Sequence, residues 1–488
     1  MLEFHKRNYL VTKVEEATTD SRQLFQLVGS LLGRKEENPL PEATSDSILA
    51  EDFASFFHEK IDNIRSRFNN IAPYKPEVKS DVPLLSKFTP ISAIQLEKTI
   101  TRMSSKTCAL DLIPTTRLKE VLGTILPSIT HIVNKSLTQG QFYTDWKEAL
   151  VKPLVKSRIL GTTMTNYRPV SNLQFISKIV EKVTLDQFTQ HCNRNSLLPN
   201  YQSAYRQYHS CETSLVKLVN DILWAMEKQL VTVVVILDLS AAFDTVDHDL
   251  LLEVLENRFG IAGTARKWYT SYLKPRSFKV SIRGSTSQPR QLDYSVPQGS
   301  IQGAFLFIAY ASTLELVVQP SGLELNGFAD DHSIRTTFKP SKLDHTEEFE
   351  TIAKIETTML KVKTWMDQVR LKLNEAKTEF MYFGWPSQLG KCAVSTIDIN
   401  GENIARNDVT KYLGAHLDSA LNFKKHIKTK CKAAMFNLQR IRAARKYLTR
   451  SASNKLMVSL VISHLDYTNG LLGGLPKCSI EQLQRVQN

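Results

Sequence analysis

The chain has 488 residues, too many for one compact domain and enough for about two to four. Apolar residues make up 42%, with 22 Phe and 15 Tyr, so sizeable cores can form and wholesale disorder is not expected. Against 49 Asp and Glu stand 62 Lys and Arg, and the resulting +13 favours a polyanionic partner, nucleic acid before membrane.

No run of about 18 uncharged apolar residues is evident, so no membrane span and no membrane partner is expected. The first twenty residues scatter charges where a secretory signal needs an apolar run. Cysteines 108, 192, 211, 392, 431 and 478 lie far apart, which suits free thiols in a reducing compartment. His191, Cys192, His209 and Cys211 have ligand chemistry for zinc, but their spacing is not that of a recognised finger.

In chain order, the first periodic segment is 51–68, with Phe53, Phe56 or Phe57, Ile61, Ile64 and Phe68 at helical spacing. A Pro-rich polar stretch to about residue 90 reads as a linker. Ser92 followed by Gln95 then opens a helix through a capping box. Residues 1–94 therefore form a mainly helical N-terminal extension with its linker. The run 230–240 is rich in Val and apolar on both alternating sets, as a central strand with both faces covered should be, and Asp238 stands near its end. A carboxylate there costs free energy unless a cation or hydrogen bonds offset it, although a turn aspartate just past the strand would look alike. Residues 323–338 read as a β-hairpin with Asp330 and Asp331 at its tip. Next come a helix over 356–374 and a strand over 377–384. The order strand, helix, hairpin, helix, strand suits an α+β domain with helices on one face of a sheet. Residues 421–450 hold ten Lys or Arg and no Asp or Glu. Ala434, Leu438, Ile441 and Leu448 are interleaved, so a helical pair with one apolar and one basic face is expected, suited to a phosphate backbone.

Phosphoryl transfer to a 3′-hydroxyl uses two divalent ions about 3.5–4 Å apart. Magnesium prefers carboxylate, carbonyl and water oxygens. A strand-end aspartate beside a hairpin carrying one or two more supplies such ligands. Asp238 and the Asp330–Asp331 pair fit this if their strands are neighbours in one sheet.

At this point the chain resembles a known family, the reverse transcriptases of LINE-type, non-LTR retrotransposons of the jockey, CR1 and L2 kind. Eight blocks match in order between about residue 95 and the end. They are 109–120, then LVKPLVK with NYRPVSNLQFISKIVEKV (166–183), 197–222, LDLSAAFDTVDHDLL (237–251), VPQGSIQGAFLF (296–307), FADD (328–331), LKLNEAKTEFMYFG (371–384) and 411–427. The resemblance implies a right-hand polymerase fold with fingers over 95–200, a ferredoxin-like palm over 201–400 and a basic helical thumb over 401–488. It implies an RNA-directed DNA polymerase that joins dNTPs to a primer 3′-OH on an RNA template. The implied cofactor is a pair of Mg²⁺ ions, with Mn²⁺ as a substitute, held by Asp238, the Leu239 carbonyl, Asp330 and Asp331. Phe243 corresponds to the gate under the incoming sugar, which disfavours a ribose 2′-OH; a core phenylalanine is the alternative. Lys152 and Arg168 correspond to triphosphate contacts, or else to surface cations. Gln298 and Gly299 correspond to residues beneath the nascent base pair, and Lys377 to a proton donor for pyrophosphate.

The match has gaps. Family members usually carry Leu-Gly-Pro where this chain has Gln302-Gly303-Ala304, and Tyr-Ile-Asn-Asp-Leu where it has Tyr310-Ala311-Ser312-Thr313-Leu314. The family's apurinic-type endonuclease does not fit into ninety residues, which makes a separate endonuclease a candidate partner. The end, EQLQRVQN, falls inside the thumb block, as in a fragment of a longer reading frame. A decayed copy that only binds nucleic acid is the alternative expectation, and an RNA-dependent RNA polymerase a more distant one. Localisation is left open between nucleus and cytoplasm.

Overall fold

The computed structural model describes residues 2–17, 21–31, 39–76, 81–157 and 161–488. Among these residues the first strands are β1 (Glu148–Val155), β2 (Tyr167–Asn172), β3 (Val231–Leu237), β4 (Leu239–Ser240) and β5 (Arg276–Ile282). They are followed by β6 (Ser285–Thr286), β7 (Arg290–Leu292), β8 (Glu324–Phe328), β9 (Asp331–Phe338) and β10 (Lys372–Leu373). The last are β11 (Glu379–Phe383), β12 (Thr396–Ile399), β13 (Glu402–Asn407), β14 (Val409–Tyr412) and β15 (Ala415–Asp418).

The main sheet runs β12-β13-β11-β3-β9-β8, with β3 antiparallel to both β11 and β9. Its Val-rich sequence follows from that position. Val231, Val233 and Val235 are fully buried in the core shared with the helices His248–Phe259 and Thr346–Gln368. Val234 points the other way, into a second core with the helix Cys211–Glu227. Each fully buried valine contributes roughly 1.5–3 kcal/mol relative to exposure, so both faces select for apolar side chains.

A five-stranded sheet runs β2-β1-β5-β6, with β7 also paired to β5. Here β1 and β2 are antiparallel, whereas β1 and β5 are parallel. The helix Asp46–Arg65 covers this sheet: Phe53 and Phe57 share a core with Val151, Tyr167 and Phe278. Its C-terminal end is tied to the main body, because Arg65 donates to Asp247 at 2.6 Å and lies 3.9 Å over the Tyr294 ring. The predicted helix over 51–68 is thus present with a 3₁₀ end at Ser66–Phe68. The Ser92–Gln95 capping box also forms, at the head of the helix Ala93–Arg102.

Three expectations change. The helix expected over 356–374 is Thr346–Gln368. Its start is hidden in the sequence by a buried Glu348, which accepts from the Tyr382 hydroxyl and the Ala393 and Val394 amides. Its end comes early because Arg370 turns into the left-handed region at φ 60° and the chain leaves to pair as β10. The expected helical pair in the basic region is unequal, a long helix, Lys424–Ala444, a 3₁₀ turn and a short helix from Arg450. Its apolar side packs with Val14, Leu24 and Val28 of the N-terminal helices. Finally, Gly303–Ser321 is long and apolar enough by length and composition to cross a membrane, with a mean hydropathy of 1.3, and the sequence reading passed over it. In the structure 67% of that stretch is buried within the protein, as expected of a core segment.

Candidate active site

Asp238 leaves the end of β3 just before the chain re-pairs as β4 with β10, Leu239 opposite Leu373. Asn374 grips it from β10: its backbone N–H donates to the Asp238 carbonyl and its side-chain amide to Asp238 Oδ2, both at 2.9 Å. Lys377 Nζ stands 3.7 Å from the same oxygen on an otherwise exposed side chain. On the neighbouring strands, Phe328 and Asp331 close the β8–β9 hairpin and leave Ala329 and Asp330 as its turn. Leu237 faces His332 in the β3–β9 register, so one step further sets Asp238 beside Asp331. The condition set by the sequence is met: the carboxylates lie at the same end of adjacent strands in one sheet.

Burial, then the charges of Asp330 and Asp238, push the Asp331 carboxyl from 3.8 up to about 6. Three carboxylates at one end of neighbouring strands, with one lysine at 3.7 Å, have the donor chemistry of a hard divalent cation. Among the described residues no three His, Cys, Asp or Glu side chains are already drawn together as a finished ligand set. The donors fit by chemical type and by strand position, without being assembled as a ligand set. The His191, Cys192, His209 and Cys211 group does not assemble either. His191 bonds the Phe259 carbonyl and Cys192 is buried.

Cations line the approach. In the β1–β2 ribbon the exposed Lys152, Leu154 and Lys156 alternate with Val151, Pro153 and the part-buried Val155, and Arg168 pairs with Leu154, so these side chains share one exposed face. Partial burial lowers the Lys156 ammonium from its ordinary value, and Lys60, Lys377 and Arg168 lower it further. Cations from three other segments thus act on Lys156, and one of them, Lys377, is also the lysine beside Asp238. Lys152 is the outlier, acting on the Cys108 thiol together with Lys178. Lys156 is legible in the sequence by alternation from Lys152, whereas nothing in the N-terminal helix signals Lys60.

Phe243 is half-buried, its ring 4.7 Å from that of Phe307, and its carbonyl accepts from Val296. Gln298 donates to Asp244 at 2.8 Å through its side chain, while its carbonyl accepts from Ser171 of β2 at 2.8 Å. Gly299 has φ 121°, and a Cβ there would come within 2.3 Å of the Ser171 oxygen, so only glycine lets the loop meet β2 this closely. Gln298 and Gly299 therefore lie on one loop that closes onto β2, and Phe243 is bonded to that loop through its carbonyl at Val296.

Residues 155–417 match the family model described as reverse transcriptase (RNA-dependent DNA polymerase). The chain belongs to the reverse transcriptase family. A polymerase palm fold accompanies that membership. The chain is 27% identical over 379 residues to the RNA-directed DNA polymerase from mobile element jockey of Drosophila melanogaster, covering 75% of this chain and 40% of that protein. It is 25% identical over 436 residues to the probable RNA-directed DNA polymerase from transposon BS of the same fly, covering 86% and 47%. Against the probable enzyme from transposon X-element the identity is 24% over 457 residues, 90% and 47%. These relatives confirm the LINE-type assignment, and this chain spans less than half the length of each.

Where this reverse transcriptase departs from its family's usual residues, the structure supplies partners. Glu181, fully buried and raised by that burial, accepts from the Ile301 and Gln302 amides at 2.7 and 3.1 Å. The Gln302 side chain, in place of leucine, donates to Thr184 Oγ1. Thr313 accepts from the Trp365 indole at 3.0 Å, and the Ala311 carbonyl from the Tyr201 hydroxyl at 3.0 Å. The substituted residues are packed into the core, but Gln302 Oε1 and Ser312 Oγ are buried there without a hydrogen-bond partner.

Proposed function

We propose that this reverse transcriptase is an RNA-directed DNA polymerase that extends a DNA primer on an RNA template with dNTPs. The observation that carries the reading is the placement of Asp238, Asp330 and Asp331 at one end of the adjacent strands β3 and β9 and the β8–β9 turn, with Lys377 beside Asp238. Asp238, the Leu239 carbonyl, Asp330 and Asp331 would hold Mg²⁺, or Mn²⁺ in its place. Two such ions, when bound, would activate the primer hydroxyl and neutralise charge on the triphosphate. Arg168, Lys156 and, further out, Lys152 would grip phosphoryl oxygens. Lys377 would hold a proton for the leaving pyrophosphate while its charge offsets Asp238. Phe243, backed by Phe307, would leave no room for a 2′-hydroxyl. Gln298 and Gly299 would support the new base pair from the loop fixed on Ser171.

Within this reading the strand order β11-β3-β9-β8 is that of a ferredoxin-like palm. Fingers would comprise residues 95–200 together with β5–β7, the palm the rest of 201–400, and the thumb the basic helices beyond 401. Residues 1–94 would be an extension that reaches the site through Lys60, and a separate endonuclease is a candidate partner.

Primer extension on an RNA template tests the reading. The wild type is expected to add dNTPs with Mg²⁺ and to stop when the metal is chelated. Asp238→Ala should lose about 10³-fold or more in rate. Equal rates in the two proteins, or binding of template–primer with no extension by the wild type, would leave a nucleic-acid-binding chain in place of an enzyme.

A further inference from the structure

The hairpin tip that carries Asp330 and Asp331 is an unfavourable piece of backbone. Its two-residue turn contains no glycine, and Ala329 sits at φ 59°, a region that L residues other than Asn and Asp seldom occupy. Ala329 is also buried, so its amide and carbonyl must find partners inside the protein. Both find the same one. The Gln202 side chain accepts from Ala329 N at 2.9 Å through Oε1 and donates to Ala329 O at 3.2 Å through Nε2.

The splint extends along β8. Gly327 N donates to the Tyr201 carbonyl at 2.9 Å, and Ser203 N donates to the Gly327 carbonyl at 2.8 Å. Residues 201–203 thus lie against β8 in a parallel bridge. A Cβ on Gly327 would meet the Tyr201 ring at 3.0 Å and Gln202 Nε2 at 3.1 Å, so glycine is what allows this close approach. Gln202 Oε1 also accepts from Ala204 N at 3.0 Å, which fixes the amide's orientation. Its side chain is 1% exposed, leaving no competing water-facing role.

We infer that Gln202 is a positioning residue: resting on the polymerase reading, it holds the Ala329–Asp330 turn in the shape that lets the Asp330 and Asp331 carboxylates receive a divalent cation. It touches neither substrate nor metal. Its amide acts as a one-residue β-partner for a turn that would otherwise relax and carry both carboxylates with it.

The test uses the full chain and two readouts, Mn²⁺ binding followed by electron paramagnetic resonance, and single-nucleotide addition to a primed RNA with Mg²⁺. Gln202→Met keeps length and burial but removes the three hydrogen bonds. It is expected to weaken Mn²⁺ binding by about tenfold and to lower kcat by about 10–100-fold. KM for the dNTP should move by less than about threefold, since the nucleotide contacts are untouched. Tyr201→Phe is the structural control: it loses the buried bond to the Ala311 carbonyl, should lower the thermal midpoint and should keep wild-type Mn²⁺ affinity. Wild-type Mn²⁺ affinity and rate in Gln202→Met would overturn the inference, as would an equal loss of Mn²⁺ affinity in Tyr201→Phe. Should the methionine variant not fold, Gln202→Asn, whose amide is one methylene short, carries the same test with the same overturning result. If no protein extends a primer yet Mn²⁺ affinity still drops in the Gln202 variants, the polymerase reading fails while the splint stands.

Discussion

Asp244 stands one residue beyond Phe243, half-buried, with Lys60 as the facing cation and Gln298 as hydrogen-bond donor. Burial outweighs both and pushes its carboxyl from 3.8 up to about 6. A native state that keeps this proton after the unfolded chain has lost it draws stability from it fully below 3.8, and loses that stability as pH rises through 6. Asparagine cannot titrate. Asp244→Asn should therefore gain on the wild type by about 1–2 kcal/mol between pH 4 and pH 7.5 in metal-free protein. Urea unfolding of both proteins at the two pH values measures it, and a difference that stays constant with pH would rule out the shift. The same region shows what single residues disclose in advance. Asp238 and Asp330–Asp331 are legible because a Val-rich run and a turn-flanked hairpin are local patterns. Asn374 and Gln202 are not, since they lie 136 and 127 positions from the groups they hold, and an uncharged amide in a loop carries no periodicity.

At the scale of elements, the helix Lys424–Ala444 buries a narrow stripe of His426, Ile427, Ala434, Ile441 and Ala444. Lys424, Lys425, Lys428 and Lys432 are exposed on the rest of its N-terminal half. Such a face grips phosphates through counterion release, which has a quantitative signature. Reversing these four lysines to glutamate should flatten the plot of log affinity against log salt, for an RNA–DNA hybrid, by about one unit for each phosphate no longer neutralised. Fluorescence anisotropy at several salt concentrations reads the slope, and an unchanged slope would take this helix off the nucleic-acid path. The charge run itself was plain in the sequence, as was the capped helix at Ser92. The helix over 346–368 was read ten residues late because Glu348 is a buried acid with three partners, a situation that no hydrophobic pattern announces.

Over the whole molecule, the least legible feature is the five-stranded sheet, since β1 and β2 lie before residue 200 while β5, β6 and β7 come from 276–292. Sequence blocks suggest a break between fingers and palm near residue 200, but hydrogen bonding between β1 and β5 crosses it. A fragment of residues 39–200 leaves that edge of β1 unpaired beside exposed apolar side chains, and is expected to aggregate when expressed alone. A soluble monomer with strand signal by circular dichroism would show that the ribbon is self-sufficient. During synthesis the same edge has to wait. The ribosome delivers β5 roughly 120 residues after β1, some 6–24 s at about 5–20 residues per second. For that interval the half-built ribbon, already carrying Lys152 and Arg168, exposes the β1 edge that β5 later covers.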